Sequence, residues 1–122
     1  MKTVIKSYRD LETWQEAMNL VEMVYEITKS LPSEELYGLK SQMRRCSVSI
    51  PSNIAEGHGR KGTGEYLHHL SIAKGSLSEL ETQLILCVRL NYISSENMKP
   101  VWLQSQTVGK LLTGLIRSLA RK

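Results

Sequence analysis

Apolar residues return every three to four positions in four blocks of this chain, and that period predicts four helices. In the first block Leu11, Trp14, Met18, Val21 and Tyr25 form one stripe. Ala17, Leu20, Val24, Ile27 and Leu31 form a second beside it, and together they predict a wide buried face. Ser7 and Asp10 have the spacing of a capping box, and Pro32 and Ser33 read as the end of this helix and the cap of the next. The second block places Leu36, Leu39, Met43, Cys46, Ile50 and Ile54 or Gly57 on one side. It contains Pro51, which cannot donate to the Ser47 carbonyl; a kink is expected there, at about 3 kcal/mol unless neighbours compensate. Glycines 57, 59, 62 and 64 close that helix, with Thr63 as the expected N-cap of the third.

The third block carries the cleanest heptad: Tyr66, Leu70, Ala73, Leu77, Leu80, Leu84, Cys87 and Asn91 step by four and three in turn, the seam of a left-handed bundle. Residues 91–95 read as a turn, with Ser94 or Ser95 capping a fourth helix that carries Met98, Trp102, Ser105, Val108, Leu112, Leu115 and Leu119. Boundaries of about 8–30, 33–58, 64–91 and 95–120 follow. Helices of this similar length, roughly 35 to 42 Å, suit one all-α domain over residues 1–122, an antiparallel up-down-up-down left-handed four-helix bundle.

Composition agrees with helices. The apolar mass is Leu, Ile, Val and Met, with no Phe and three Pro in 122 residues, a palette poorly suited to a β-sandwich. Cys46 and Cys87 stand far apart in sequence and read as buried free thiols. No secretory leader and no membrane-length apolar run is recognisable, so a cytoplasmic protein is expected.

Net charge is +4, but its distribution is uneven. Lys2, Lys6 and Arg9 open the chain without an acid, and residues 10–35 then hold seven acids against Lys29 alone. Lys40, Arg44, Arg45, Arg60 and Lys61 are opposed only by Glu56, and the last 25 residues carry five cations, among them Arg117, Arg121 and Lys122, and no acid. Faces of opposite sign are expected.

Three motifs carry possible chemistry. Gly57-His58-Gly59-Arg60-Lys61-Gly62 fits G-x-G-x-x-G, but it follows a helix, not the strand a dinucleotide site requires. Glu65-x-x-His68 has a di-iron spacing without the second such pair. Some helical ribonucleases use an arginine followed at four to six residues by a histidine; Arg60 and His68 are separated by seven, across a loop. No catalytic residue, metal or cofactor is assigned. A further feature is polar: Ser49, Asn53, Glu56 and Arg60 share one helical stripe, and Ser76, Glu79 and Gln83 another. These are either a solvated face or, the preferred reading, a hydrogen-bond network fixing helix register or a subunit interface, with Arg44 and Arg45 as ionic partners.

The run from Gln42 to Gly57, QMRRCSVSIPSNIAEG, resembles the signature of the four-helix bundle proteins associated with intervening sequences in bacterial 23S rRNA. Tyr8-Arg9-Asp10-Leu11-Glu12-Thr13-Trp14, Leu31-Pro32 through Tyr37-Gly38-Leu39, and Gly75 to Thr82 are similar to other segments of that family. The resemblance implies an antiparallel bundle assembling as a homopentameric ring, and places Ser49, Pro51, Asn53, Glu56, Gly57, Ser76 and Glu79 in a structural or interface network. The related accessory protein of diversity-generating retroelements implies a basic surface for nucleic acid and a protein partner such as a reverse transcriptase. Combined with the charge pattern, this predicts a non-enzymatic binder of RNA or DNA backbone using Lys2, Lys6, Arg9, Arg44, Arg45, Arg60, Lys61, Arg117, Arg121 and Lys122. The alternatives are a protein scaffold whose opposite faces pair between subunits, and a helical ribonuclease.

Overall fold

A computed structural model describes residues 4–121, which form four α-helices and two short 3-10 turns without a strand among them. The helices are α1 (Glu12–Thr28), α2 (Leu39–His58), α3 (Thr63–Arg89) and α4 (Ser95–Ala120). α1 packs against α2 and α4, and α3 against the same two, so the helices close a cycle around one core. Leu20, Met43, Ile50, Ile54, Leu70, Leu80, Leu84 and Leu112 are fully buried in it. The heptad residues of α3 from Leu70 to Cys87 all face this core.

The first helix is shorter and its buried face narrower than the periodicity predicts. The capping box forms, with Ser7 Oγ accepting from the Arg9 amide and Asp10 Oδ2 from the Ser7 amide, but it closes a 3-10 turn, Tyr8–Asp10. Leu11 is then extended, and α1 begins one residue later. The Tyr8 ring packs edge-to-face on Trp14 at 5.3 Å, folding this segment back along α1. Only the stripe of Ala17, Leu20 and Val24 is buried with Thr13 and Thr28, while Met18 and Tyr25 are 38% and 40% exposed. Met18 lies at the edge of the α1–α2 contact, in an open groove with Tyr8, Val48 and Pro51.

The second helix starts at Leu39 rather than 33. Ser33–Glu35 is a separate 3-10 turn, and Leu36 is exposed outside the helix. Gly38 precedes α2, and the Glu35 carboxylate supplies the cap: Oε1 accepts from the Leu39 amide at 3.1 Å. A Cβ on Gly38 would lie 2.5 Å from that oxygen, so glycine is what admits the carboxylate. Glu35 Oε2 accepts from the Tyr92 hydroxyl at 2.9 Å, tying the α1–α2 connection to the turn before α4. α2 continues unbroken through the buried Pro51.

Gly62 in extended conformation, not Thr63, precedes α3, and no side chain caps it. α3 ends before Asn91, whose φ of 62° lies in the left-handed region asparagine tolerates. Ser94 caps α4 by accepting from the Asn97 amide at 3.1 Å.

Candidate nucleic-acid interface and the polar seam between α2 and α3

One turn of separation puts Ser49 and Asn53 on the same side of α2, where they meet α3. Asn53 Nδ2 donates to Ser49 O at 2.9 Å and to Ser49 Oγ at 3.1 Å, and Ser49 Oγ lies 2.9 Å from Ser76 Oγ across the seam. Because the amide nitrogen points at Ser49, Asn53 Oδ1 is the acceptor left for His69 Nδ1 at 3.0 Å, and that ring nitrogen carries the proton. His69 is a member that the two polar stripes read from the sequence do not include. Cys46 Sγ donates to Gln83 Oε1 at 3.0 Å in the buried part of the same seam.

The seam is close as well as polar. At Gly57 a Cβ would lie 2.8 Å from His69 Cβ and 3.0 Å from Tyr66 Cδ1, so α2 and α3 cross where only glycine fits. Glu79 is exposed and lines an open groove with Gln42, Arg45, Cys46, Ser49 and Ser76. Neither Glu79 nor Arg45 is in an ion pair among the described residues. Burial, and then the Glu79 charge, pushes the Cys46 thiol up to about 12; burial, and then the charge of Glu35, pushes Cys87 up to about 11. Both are poor nucleophiles near neutral pH.

The basic residues separate into several groups. Arg44 is built into the α1–α2 contact: Nε donates to Thr28 Oγ1 at 3.0 Å, Nη2 donates to Tyr25 O at 3.1 Å, and the guanidinium lies 4.5 Å from the Tyr25 ring centroid. Its fork and its π-face are occupied by its own chain. Arg60 pairs with Glu56 at 3.3 Å, both half-exposed. Lys61 is exposed beside it, and Arg60 lines a small open pocket with Glu65, His68 and His69. Lys6, Arg9 and Arg45 are exposed. Arg117 is exposed on the last turn of α4 and Arg121 at its C-cap. Lys2 and Lys122 lie outside the described residues. No group of three or more His, Cys, Asp or Glu among the described residues is placed to hold a metal ion.

Two grooves lie between α3 and α4. One, of about 350 Å³, is apolar, formed by Leu84, Ile85, Val88, Met98 and Trp102 with Arg89 and Lys99 at its rim. The other, of about 490 Å³, is polar and includes Lys74, Lys110 and Arg117. Lys74 and Lys110 are isolated cations in the sequence, and only the apposition of α3 and α4 brings them together.

A four-helix protein with a polar, glycine-crossed α2–α3 seam is the class this geometry defines. Residues 9–114 match the family model described as 23S rRNA-intervening sequence protein, and the chain belongs to that family. A solved structure from Bacteroides thetaiotaomicron, a protein of unknown function from the S23 ribosomal protein family, shares the fold. It superposes with a TM-score of 0.79 at 24% identity over 85% of this chain and 97% of that one. No curated protein matches the chain.

Proposed function

We propose that this chain is a non-enzymatic cytoplasmic protein that assembles as a homopentameric ring and holds RNA or DNA by its backbone through basic surfaces. The observation that carries the reading is the state of its exposed cations. Among the described residues only Lys29–Glu26 and Arg60–Glu56 form ion pairs, while Lys6, Arg9, Arg45, Lys61, Arg117 and Arg121 are exposed outside any. Repetition around a ring multiplies such a field, and phosphate is the ligand it favours.

An antiparallel, left-handed bundle is the subunit in this reading. Glu16 bonds Gln104 and Glu81 bonds Gln106, while Ser49 bonds Ser76. These contacts, with short connections, support helices that alternate in direction, and the α3 heptad supports the hand. Self-association draws support from apolar side chains exposed on different faces: Met18, Tyr25 and Val48 on α1 and α2, Ile85, Leu86, Leu90 and Leu103 on α3 and α4. Contact between unlike faces generates closed rings when the rotation permits.

The second reading is a protein scaffold in which acidic Glu12 and Glu22 of one copy meet cations of the next, both residues being exposed on α1. By analogy with the retroelement accessory protein, a reverse transcriptase is the class of protein partner to test in either case. The deciding experiment measures binding of the purified chain to duplex DNA, structured RNA and single strands across a salt series, with the mass in solution and RNA integrity followed together. Binding that weakens steeply with salt supports the first reading. An intact oligomer with no binding at low salt overturns it in favour of the scaffold, and RNA cleavage lost on His68→Ala overturns the non-enzymatic assignment.

A further inference from the structure

Along α4, Lys99, Leu103, Gln106, Lys110, Gly114, Arg117 and Arg121 step by four and three and so share one stripe of the helix. No acid follows Glu96 in the chain. At 1.5 Å per residue, Lys110 and Arg117 stand roughly 10 Å apart along the helix. Across from them α3 contributes Lys74, and the three cations border the polar groove with Ser78, Gln106 and Thr113. None of the three is in an ion pair among the described residues.

One carboxylate lines the same groove, that of Glu81, and its Oε2 already accepts from Gln106 Nε2 at 2.6 Å. The groove therefore retains a surplus of two positive charges, with neutral hydroxyl donors between them. Gly114 lies between Lys110 and Arg117, and a Cβ there would meet nothing within 4 Å, so nothing in its own chain calls for glycine. A glycine inside a helix weakens it. What its absent side chain provides is a bare stretch of wall that another backbone can approach. The loop site is less favourable, since Arg60 is already paired with Glu56 and Glu65 shares its pocket.

We infer that the α3–α4 groove is the seat of the phosphodiester backbone, with Lys74, Lys110 and Arg117 as its phosphate ligands. The inference rests on the nucleic-acid reading above and specifies its surface; Lys74 and Lys110 are additional to the cations that sequence alone proposes. The bases point outward, because the groove offers no exposed aromatic platform for stacking. Recognition is of charge and backbone, and RNA and DNA single strands share that chemistry.

The test is fluorescence polarisation with labelled single-stranded RNA, single-stranded DNA of the same sequence and duplex DNA, each across a salt series. Wild type is compared with Lys110→Gln/Arg117→Gln, with Gly114→Gln and with Arg60→Gln/Lys61→Gln. Removing two phosphate contacts lowers the slope of log K against log salt by roughly 1.4 for single strands and 1.8 for duplex, and weakens binding at low salt. Gly114→Gln keeps the charge and fills the groove, so binding weakens without loss of fold. RNA and DNA single strands binding alike marks the shared phosphodiester as the ligand; RNA alone assigns the contact to the ribose hydroxyl and overturns the backbone-only claim. Circular dichroism and solution mass confirm that the variants remain folded and assembled. A groove variant that binds with the wild-type slope, with the loss confined to Arg60→Gln/Lys61→Gln, overturns the groove and leaves nucleic-acid binding standing. No binding by wild type at low salt overturns the nucleic-acid reading itself.

Discussion

Replacing Gly57 by alanine tests the close crossing of α2 and α3. The new Cβ would stand 2.8 Å from His69 Cβ, 3.0 Å from Tyr66 Cδ1 and 3.3 Å from Tyr66 O. Comfortable carbon contacts are about 3.5 to 4.0 Å, so α3 must withdraw by several tenths of an ångström or more. His69 Cβ is fixed to the helix backbone and cannot rotate away. Withdrawal also stretches the 3.0 Å contact between His69 Nδ1 and Asn53 Oδ1. Overpacking of this kind costs about 1 to 3 kcal/mol, and the better helix propensity of alanine offsets up to about 1 kcal/mol. With the middle of that range, about 2 kcal/mol, the net is a loss of about 1 to 2 kcal/mol, and with roughly 4 °C per kcal/mol at this chain length the melting temperature falls by about 4 to 8 °C. Gly75→Ala is the control: a Cβ there meets nothing within 4 Å, so only the propensity gain acts and the protein should be stabilised by up to about 1 kcal/mol. Urea unfolding monitored by circular dichroism measures both. A Gly57→Ala protein as stable as wild type would refute the claim that the crossing requires glycine.

The remaining expectations concern the other joints of the fold. Arg44→Met removes the donors to Thr28 Oγ1 and Tyr25 O, and a loss of about 1 to 3 kcal/mol in urea unfolding is expected, with the salt slope of any nucleic-acid binding unchanged. A double-mutant cycle of Tyr92→Phe and Glu35→Gln should show coupling of about 1 kcal/mol; independent effects would mean that the latch between the two connections holds nothing. Both thiol pKa values are raised on folding, so their contribution is complete below the unfolded value near pH 9 and is lost as pH rises through about 11 and 12. Native protein should resist a thiol reagent at pH 8 and react at both cysteines once unfolded, and the denaturation midpoint should fall above pH 9.

Much of the architecture follows from local pattern. The α3 heptad from Leu70 to Cys87 is buried as the spacing predicts, since a helix packed on two neighbours keeps one stripe inward wherever it sits. Ser94 caps α4 because a hydroxyl reaches its own helix amides without help from elsewhere. Boundaries that rest on distant groups were not legible: α2 begins at Leu39 because Glu35 bends back over Gly38, itself held by Tyr92, which lies 57 residues further along the chain. Likewise, Met18 and Tyr25 have core-like phase, yet they stay partly exposed because they lie at the edge of the α1–α2 contact, Met18 in a groove with Val48 and Pro51 and Tyr25 under the Arg44 guanidinium.

Charge divides the same way. The sequence by itself determines four amphipathic helices, an α4 without acids after its first turn, and the family to which the residues belong, because these depend on spacing and composition along one dimension. The tertiary structure alone decides which cations are available. It closes Arg44 into the α1–α2 contact and sets Lys74 opposite Lys110 and Arg117. Availability depends on what another helix brings within a few ångströms, and hydrophobic periodicity says nothing of that.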